Sequence, residues 1–185
     1  MKRIVAVLVM AWGTFFLLPS FAQVSSLRVL AATGTAQEIR AALQYGGEVS
    51  KRDANGITAL MLAAANNRDP AVIPILISAG ADINGHSVSG ETPLIFAAEQ
   101  NPNPEMIEAL LKAGARIEDQ DGLGRTALMA AAWGNSNPEV ISALLKAGAN
   151  RKIKANDGSF AVDYARNNPK LAGTDVCQLL EGEAK

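Results

Sequence analysis

Two nearly identical stretches of sixteen residues decide the fold: residues 101–116 read NPNPEMIEALLKAGAR, and residues 135–150 read NSNPEVISALLKAGAN. Other signals in the chain recur with the same step that separates these two copies. These are three threonines and the glycines of three Ala-Gly-Ala triplets: Thr58, Thr92, Thr126, Gly80, Gly114 and Gly148. Self-similarity at a fixed period of roughly 20 to 50 residues is the signature of a repeat architecture. We therefore interpret the chain as a stack of repeated units.

Each unit carries the start and stop signals of two helices. A threonine before an apolar run can cap a helix, because its hydroxyl accepts from an unpaired backbone N–H group. Asp69, Asn103 and Asn137 are each followed by proline, which places a capping residue ahead of a first-turn proline. A glycine that follows the second helix ends it, since glycine adopts the left-handed conformation without strain. The sequence predicts a helix, a turn, a second helix, a glycine stop and a polar connection.

The two helices of a unit are predicted to pack differently. The first helices carry adjacent alanines, such as Ala63-Ala64 and Ala97-Ala98, whose small side chains allow neighbouring helices to approach closely. The second helices carry larger apolar residues, which we expect on the buried face: Ile73, Leu76, Ile77, Ile107, Leu110, Leu111, Ile141, Leu144 and Leu145. A single helix pair cannot bury these faces, whereas stacked copies can.

The motifs Gly90-Glu91-Thr92-Pro93-Leu94 and Gly80-Ala81-Asp82-Ile83-Asn84 resemble the ankyrin repeat. The resemblance implies an all-α ankyrin-repeat solenoid of helix-turn-helix units linked by β-hairpin-like loops. The sequence departs from the family at its histidine position, which holds Met61, Ile95 and Met129. Each central unit is also one residue longer than the family's usual length of about 33, and the extra residue falls in the turn between the helices.

The ends of the stack are predicted to be atypical capping units. Residues 27–49 indicate a helix pair, and residues 160–168 and 174–180 indicate two more helices. Terminal repeats of a solenoid are expected to differ in this way. We expect about three full repeats and two capping repeats in a domain of residues 23–185, with approximate repeat boundaries at 27–52, 53–86, 87–120, 121–154 and 155–182.

Residues 1–22 have the plan of a secretory signal peptide. Lys2 and Arg3 precede an uncharged apolar run from Ile4 to Leu18, and Ser20-Phe21-Ala22 supplies small residues for cleavage after Ala22. The apolar run is shorter than the roughly 20 residues that span a membrane. The sequence predicts export to the periplasm or beyond without a stable membrane anchor. An uncleaved N-terminal anchor is the alternative.

Composition and single residues argue against several classes of function. Without Lys2 and Arg3, 15 basic residues face 18 acidic ones, a net charge of −3 that gives no electrostatic case for binding nucleic acid. Cys177 is the only cysteine, so no internal disulfide can form. We expect an inert, half-exposed thiol, with a disulfide to a partner or to a second copy as the alternative. His86 is the only histidine and has no neighbours at ligand spacing. We predict no catalytic residue, no metal site and no cofactor.

The candidate site is therefore a surface. In ankyrin proteins, partners usually dock on the concave face, formed by the hairpin tips and the exposed ends of the first helices. Carried over by position, the resemblance implies these partner-binding residues: Asn55, Ile57, Val88, Glu91, Glu99, Gln100, Leu123, Arg125 and Trp133. Further positions on that face are Ala54, Ser89, Gly122, Asn156, Asp157, Ser159, Asn167 and Asn168.

Trp133 is the most informative of these candidates. It occupies the position held by Ala65 and Glu99 in other units, so the repeat does not require it. Tryptophan is enriched among residues that carry interface energy. The alternative is a ring lying flat on Met129 and the adjacent helix.

The sequence thus predicts an exported, non-enzymatic protein, monomeric by itself, that binds an exported protein in the periplasm through its concave face. The resemblance implies two versions: an immunity-type inhibitor that covers a toxin's active site, or an accessory factor of a periplasmic enzyme. The sequence neither separates them nor identifies the partner. Two alternatives stay open: a self-assembling structural envelope protein and, less favoured, a small hydrolase that uses His86 with loop carboxylates.

Overall fold

The computed structural model describes residues 26–182, and within them ten α-helices form five successive pairs. The pairs are α1 (Leu27–Thr33) with α2 (Ala36–Gln44), α3 (Ala59–Asn66) with α4 (Val72–Ser78), α5 (Pro93–Gln100) with α6 (Pro104–Lys112), α7 (Ala127–Gly134) with α8 (Pro138–Lys146), and α9 (Ala161–Arg166) with α10 (Val176–Glu181). A short 3-10 helix, Pro169–Leu171, connects α9 to α10. The described residues contain no β-strand. The predicted signal peptide lies outside them.

The helices stack in two rows. Each first helix packs against the first helix of the next unit, from α1 through α3, α5 and α7 to α9. The second helices form a looser row behind them, from α2 to α10. Each helix contacts mainly its partner in the pair and its counterparts in adjacent units, which is the nearest-neighbour pattern of a solenoid. The predicted all-α repeat solenoid is confirmed.

Small side chains explain why the first helices of the three central units, α3, α5 and α7, are buried on nearly all sides. In α7, residues 127–132 are fully buried, and five of these six residues are alanine or leucine. The equivalent alanines Ala63 and Ala97 are also inaccessible to solvent. Because an alanine projects little from the helix, a first helix fits between its two neighbours at close range. The predicted role of the alanines therefore agrees with the structure.

The buried face of the second helices differs from the prediction by one position. Ile107 and Leu110 of α6 are fully buried as expected, but Leu111 is only half-buried, and Met106 takes its place in the core. The same rotation applies in α4 and α8, where Ile77 and Leu145 lie at the edge of the core and Val72 and Val140 are buried. Residues at relative positions 0, 1 and 4 share one side of a 3.6-residue helix, and the residue at position 5 turns away from it.

The predicted helix caps are correct at some positions and wrong at others. The hydroxyls of Thr58 and Thr92 accept from the backbone N–H groups of Met61 and Ile95, each at 3.3 Å. The hydroxyl of Thr126 has no hydrogen-bond partner, although the residue is buried. Asn103 and Asn137 cap α6 and α8 as predicted.

The start of α4 also differs from the prediction, which places it at the Asp-Pro pair. Asp69 accepts from the N–H group of Ala71 at 2.9 Å, but Pro70 and Ala71 form a turn, and α4 begins only at Val72. The Asp-Pro pair therefore closes a turn ahead of this helix. The glycine stops behave as expected, since Gly80, Gly114 and Gly148 all have φ angles near +95°.

A row of buried asparagines, which the sequence reasoning missed, ties each unit to the one before it. The side-chain amide of Asn101 donates to the carbonyl of Ala64 at 2.9 Å and to that of Asn67 at 2.8 Å. Its side-chain oxygen accepts from the N–H group of Asn103. The same pattern recurs at three other positions: Asn67, Asn135 and Asn168. The residue added in each central unit thus lies in a turn that the asparagine row stabilises.

The hairpin tips, residues 53–57, 87–91, 121–125 and 155–159, form a continuous edge. Each tip is closed by its own backbone, as where the N–H group of Ser87 donates to the carbonyl of Glu91. One backbone hydrogen bond joins each tip to the next: Val88 N to Asn55 O, Gly122 N to Ser89 O and Asn156 N to Leu123 O, all within 2.8–2.9 Å. The last two tips are also joined by the side-chain amide of Asn156, which donates to the carbonyl of Gly122 at 3.2 Å. A single backbone hydrogen bond per interface holds the tips in line without forming a strand ladder.

Candidate interaction surface

The surface formed by the hairpin tips and the ends of the first helices, which the resemblance predicts to be the concave face, carries apolar side chains that the stack does not bury. Val88 and Leu123 lie at successive tips, and these residues are 77% and 62% exposed. Trp133, at the end of α7, is 53% exposed. The other large hydrophobic residues exposed among residues 26–182 are Val29 and Tyr45 of the first unit. Successive units thus place apolar side chains on the predicted surface.

The remaining predicted residues divide into exposed and half-buried groups. Asn55 and Gln100 are exposed. Four are half-buried: Ile57, Glu91, Glu99 and Arg125. Asn168, which the sequence placed on the same face, is buried, and its amide donates to the carbonyls of Ala132 and Asn135, so that placement was wrong. Asn168 is buried because it is the last member of the asparagine row and bonds to the preceding unit.

Trp133 contacts an aromatic residue that the sequence reasoning did not select. Its ring meets the ring of Tyr164 edge to face, with centroids 6.1 Å apart and planes at 89°. This is a favoured geometry for an aromatic pair. Tyr164 belongs to α9, so Trp133 does pack against the adjacent helix, as the alternative prediction had it, although the two rings meet edge to face. Tyr164 occupies the position of Phe96 and Ala130 in earlier units, so the only signal for it was an aromatic residue at a variable position.

Tyr164 connects the tryptophan to the last hairpin tip. Its hydroxyl donates to the carboxylate of Asp157 at 3.4 Å. Partial burial, together with the negative charge of Asp157, raises the pKa of Tyr164. The Asp157 carboxylate also accepts from the N–H group of Ser159, and this hydrogen bond lowers the pKa of Asp157. Asp157 thus keeps its negative charge at neutral pH while it lies next to the aromatic pair.

Arg125 is held within the protein by two carboxylates. Its Nε donates to Asp121 Oδ2 at 2.8 Å, and its Nη2 lies 3.9 Å from Glu99 Oε2. Burial opposes the charge of Arg125, but the hydrogen bond and charge of Asp121 outweigh that effect and raise its pKa. Asp121 also accepts from the N–H groups of Leu123 and Arg125, which fixes the shape of the tip. Arg125 therefore joins a tip to the end of α5.

Glu99, which faces Arg125, also lies close to the residue that follows Trp133. Gly134, the residue after Trp133, is so close to Glu99 that a Cβ atom at Gly134 would lie 2.7 Å from Glu99 Cγ. Burial raises the pKa of Glu99, the nearby charge of Arg125 opposes that rise, and the negative charges of Glu91 and Asp121 add to it. Each member of the aromatic pair thus has a carboxylate nearby: Glu99 lies against the residue after Trp133, and Asp157 is bonded to Tyr164.

Among the residues that the structure describes, neither His86 nor Cys177 lies in a cluster of side chains that could hold a metal ion. His86 is exposed next to a tip, and its backbone carbonyl accepts from Arg52 Nη1 at 2.7 Å. Cys177 is a half-buried free thiol on α10, packed against the core. Across residues 26–182, histidine, cysteine, aspartate and glutamate side chains nowhere gather in a group that could hold a metal ion. None of the helices in that range is long and apolar enough to cross a membrane.

Comparison with known families agrees with this geometry. A family model described as ankyrin repeats, in three copies, matches residues 27–121 and again residues 97–183. The two matches together cover nearly all of the described residues. No curated protein matches the sequence. The resemblance predicted from the Gly-x-Thr-Pro-Leu and Gly-Ala-Asp motifs is confirmed.

Proposed function

We propose, from the premise that this chain belongs to the ankyrin-repeat family, that it is an exported binding protein whose concave face holds one specific exported protein in the periplasm. Ankyrin repeats are protein-interaction modules and are typically non-catalytic. The proposal adds the face, the compartment and the class of partner. A preformed stack suits this role, because little conformational entropy is lost when it binds.

The exposed ring of Trp133 is the observation that carries the proposal. Its packing leaves 53% of the residue exposed, although solvent favours a polar side chain there and another unit has Glu99 at that position. Leu123 and Val88 extend the apolar surface along the hairpin tips. Tryptophan residues in such positions are enriched among those that dominate binding energy.

Export is supported by the N-terminal sequence. Residues 1–22 combine a basic start, an uncharged apolar run and small residues at a cleavage position. A protein exported in this way meets other exported proteins. Two roles fit a tightly held partner: an immunity-type inhibitor that covers a toxin's active site, and an accessory factor that an exported enzyme requires.

Site-directed photo-crosslinking in cells of the source organism tests the proposal. A photoreactive amino acid in place of Leu123 should capture one exported protein, and the same amino acid in place of Val29 should not. Val29 is the matched control, because its side chain is also well exposed but belongs to the first unit. Capture from the Val29 position alone, or capture of a cytoplasmic protein, would contradict the proposal. Capture of a second copy of the chain would favour the self-assembling alternative.

The activity of the captured partner separates the two roles. Addition of the full chain should abolish a toxin's activity if the protein is an inhibitor. It should raise or preserve the activity of a resident enzyme if the protein is an accessory factor. Trp133→Ala should weaken either effect by about tenfold to a hundredfold, the usual range for an interface hot spot.

A further inference from the structure

We propose that the partner presents a basic segment to the concave face, with an arginine side chain placed against the Trp133 ring and beside the carboxylates of Glu99 and Asp157. This inference rests on the proposed function and specifies the chemistry of its partner. It depends on three features of the concave face: an excess of carboxylates, neighbouring cations that are already engaged, and an exposed aromatic ring.

The carboxylates on this part of the concave face outnumber the cations. The hairpin tips from residue 87 onward, together with the end of α5, carry four acidic residues and the guanidinium of Arg125; the acidic residues are Glu91, Glu99, Asp121 and Asp157. The resulting net charge is −3. Arg125 pairs with Asp121 and Glu99, whereas Glu91 and Asp157 form no ion pair with any described residue. Unpaired negative charge close to an apolar surface favours a positively charged partner.

The other cations near the tips are already engaged. Arg52 Nη1 donates to the carbonyl of His86, and Lys154 Nζ lies 5.0 Å from the centroid of the Phe160 ring. Arg28, next to the first tip, pairs with Asp53 at 2.5 Å. Lys170 Nζ donates to the carbonyl of Gly134, the residue after Trp133, at 2.9 Å. None of these cations pairs with Glu91 or Asp157, so these two carboxylates have no ion-pair partner among the described residues.

The aromatic ring selects arginine among the basic side chains. A guanidinium is attracted to the face of a tryptophan ring and can at the same time form paired hydrogen bonds to a carboxylate. Glu99 packs against Gly134, the residue after Trp133, and Asp157 is bonded to Tyr164, whose ring contacts that of Trp133. Leu123 and Val88 offer an apolar surface to the aliphatic part of the same segment. An acidic partner would meet like charges along this face.

Peptide binding measured by Trp133 fluorescence tests the inference. The protein is the full chain with Trp12→Phe, which leaves Trp133 as its only tryptophan. The probe is a capped octapeptide that alternates leucine with arginine. Matched peptides carry citrulline, the uncharged isostere, or glutamate in place of arginine. We expect saturable binding of the arginine peptide that weakens with added salt. Equal binding of the citrulline peptide, preferred binding of the glutamate peptide, or no binding of the arginine peptide would overturn the inference.

Charge-neutralising variants assign the effect to the concave face. The triple variant combines Glu91→Gln, Glu99→Gln and Asp157→Asn, which keep hydrogen-bond acceptors but remove three charges. It should bind the arginine peptide about tenfold more weakly. The control neutralises three exposed acids on the second helices, Glu105→Gln, Glu108→Gln and Glu139→Gln. Equal weakening by both sets would overturn the inference. A partner crosslinked at Leu123 whose contacting segment lacks basic residues would also overturn it, while leaving the proposed function intact.

Discussion

At the scale of single residues, glycine has two different roles in this stack. Gly114 ends α6 with φ +96°, and a Cβ atom there would meet nothing within 4 Å. Gly90 sits in a hairpin tip with φ +81°, and a Cβ atom there would lie 2.7 Å from the backbone nitrogen of Gly122 in the next tip. Both glycines have the left-handed backbone conformation, but only Gly90 also provides space for a neighbouring chain segment.

Alanine substitutions should separate these two roles. Gly114→Ala should lower the free energy of unfolding by roughly 1–2 kcal/mol, the usual cost of the left-handed conformation for a residue with a side chain. Gly90→Ala should lower the free energy of unfolding by roughly 1–3 kcal/mol more than Gly114→Ala does, because the backbones of two tips must also move apart. Urea unfolding of the two variants measures the difference. Equal destabilisation would mean that the tips adjust freely, and Gly114→Val should be worse than Gly114→Ala.

Asn101 is the residue whose removal should affect the contact between units most directly. Asn101→Ala leaves the carbonyls of Ala64 and Asn67 and the N–H group of Asn103 without their partner in a buried turn. We expect a loss of about 2–4 kcal/mol in unfolding free energy, since several unsatisfied polar groups remain. The control is Asn66→Ala, an exposed position whose amide bonds only within its own helix. A similar melting temperature for both variants would contradict the role assigned to the row.

The helix caps and helix stops could be predicted from the sequence, whereas the contacts of the buried asparagines could not. Gly80 and Asn103 were identified correctly, because their roles depend on local conformation and recur at the repeat period. The partners of Asn101 belong to the preceding unit and are distant from it in sequence. An asparagine in a turn has the same local signature whether its amide meets solvent or the preceding unit, so sequence reasoning could not assign that contact.

At the scale of helices, the one-position error in the second helices has an energetic consequence. Leu110 is inaccessible to solvent, whereas Leu111 lies at the edge of the core. Leu110→Ala should therefore lower the unfolding free energy by about 2–5 kcal/mol, through lost burial and the cavity left behind. Leu111→Ala should cost clearly less, because solvent and neighbouring side chains can occupy the space. Thermal unfolding of both variants decides between this register and the predicted one, which had Leu111 on the buried face.

The helix pattern also shows why the candidate surface could be predicted only in outline. The repeat period and the glycine motifs locate the tips and the ends of the first helices, so the face that carries Leu123 and Trp133 followed from the sequence. The periodicity contains no information on how side chains pair across units. The network of Arg125 with Asp121 and Glu99, and the contact of Trp133 with Tyr164, needed three-dimensional structure.

At the scale of the whole molecule, the constant repeat period makes each central unit replaceable by its neighbour. Without residues 87–120, Asp121 would follow His86 as Ser87 does now. Asn135 would then occupy the place of Asn101 against Ala64 and Asn67. The interfaces of the stack would be repeated rather than broken, because each unit contacts mainly its nearest neighbours.

Deletion of residues 87–120 should therefore leave a folded, shorter stack. The slope of its unfolding free energy against urea concentration should be smaller by roughly a fifth, because that slope is proportional to the surface that unfolding exposes. Deletion of residues 87–103, half a unit, is the control, because it places a second helix where the stack requires a first helix and should prevent cooperative folding. Circular dichroism with urea titration measures both. If both deletions fold equally well, the repeat boundaries proposed here are wrong.

The shorter stack also tests whether folding and recognition depend on different residues. It lacks Val88, Glu91 and Glu99 but keeps Trp133, so it should bind the arginine peptide more weakly while remaining folded. Titration of the same peptide against the shorter stack and the full chain measures this difference. Unchanged affinity would mean that the unit spanning residues 87–120 adds nothing to recognition. The expected loss would separate the two properties within one molecule, since the period determines the stack and the few residues that differ between units determine what it binds.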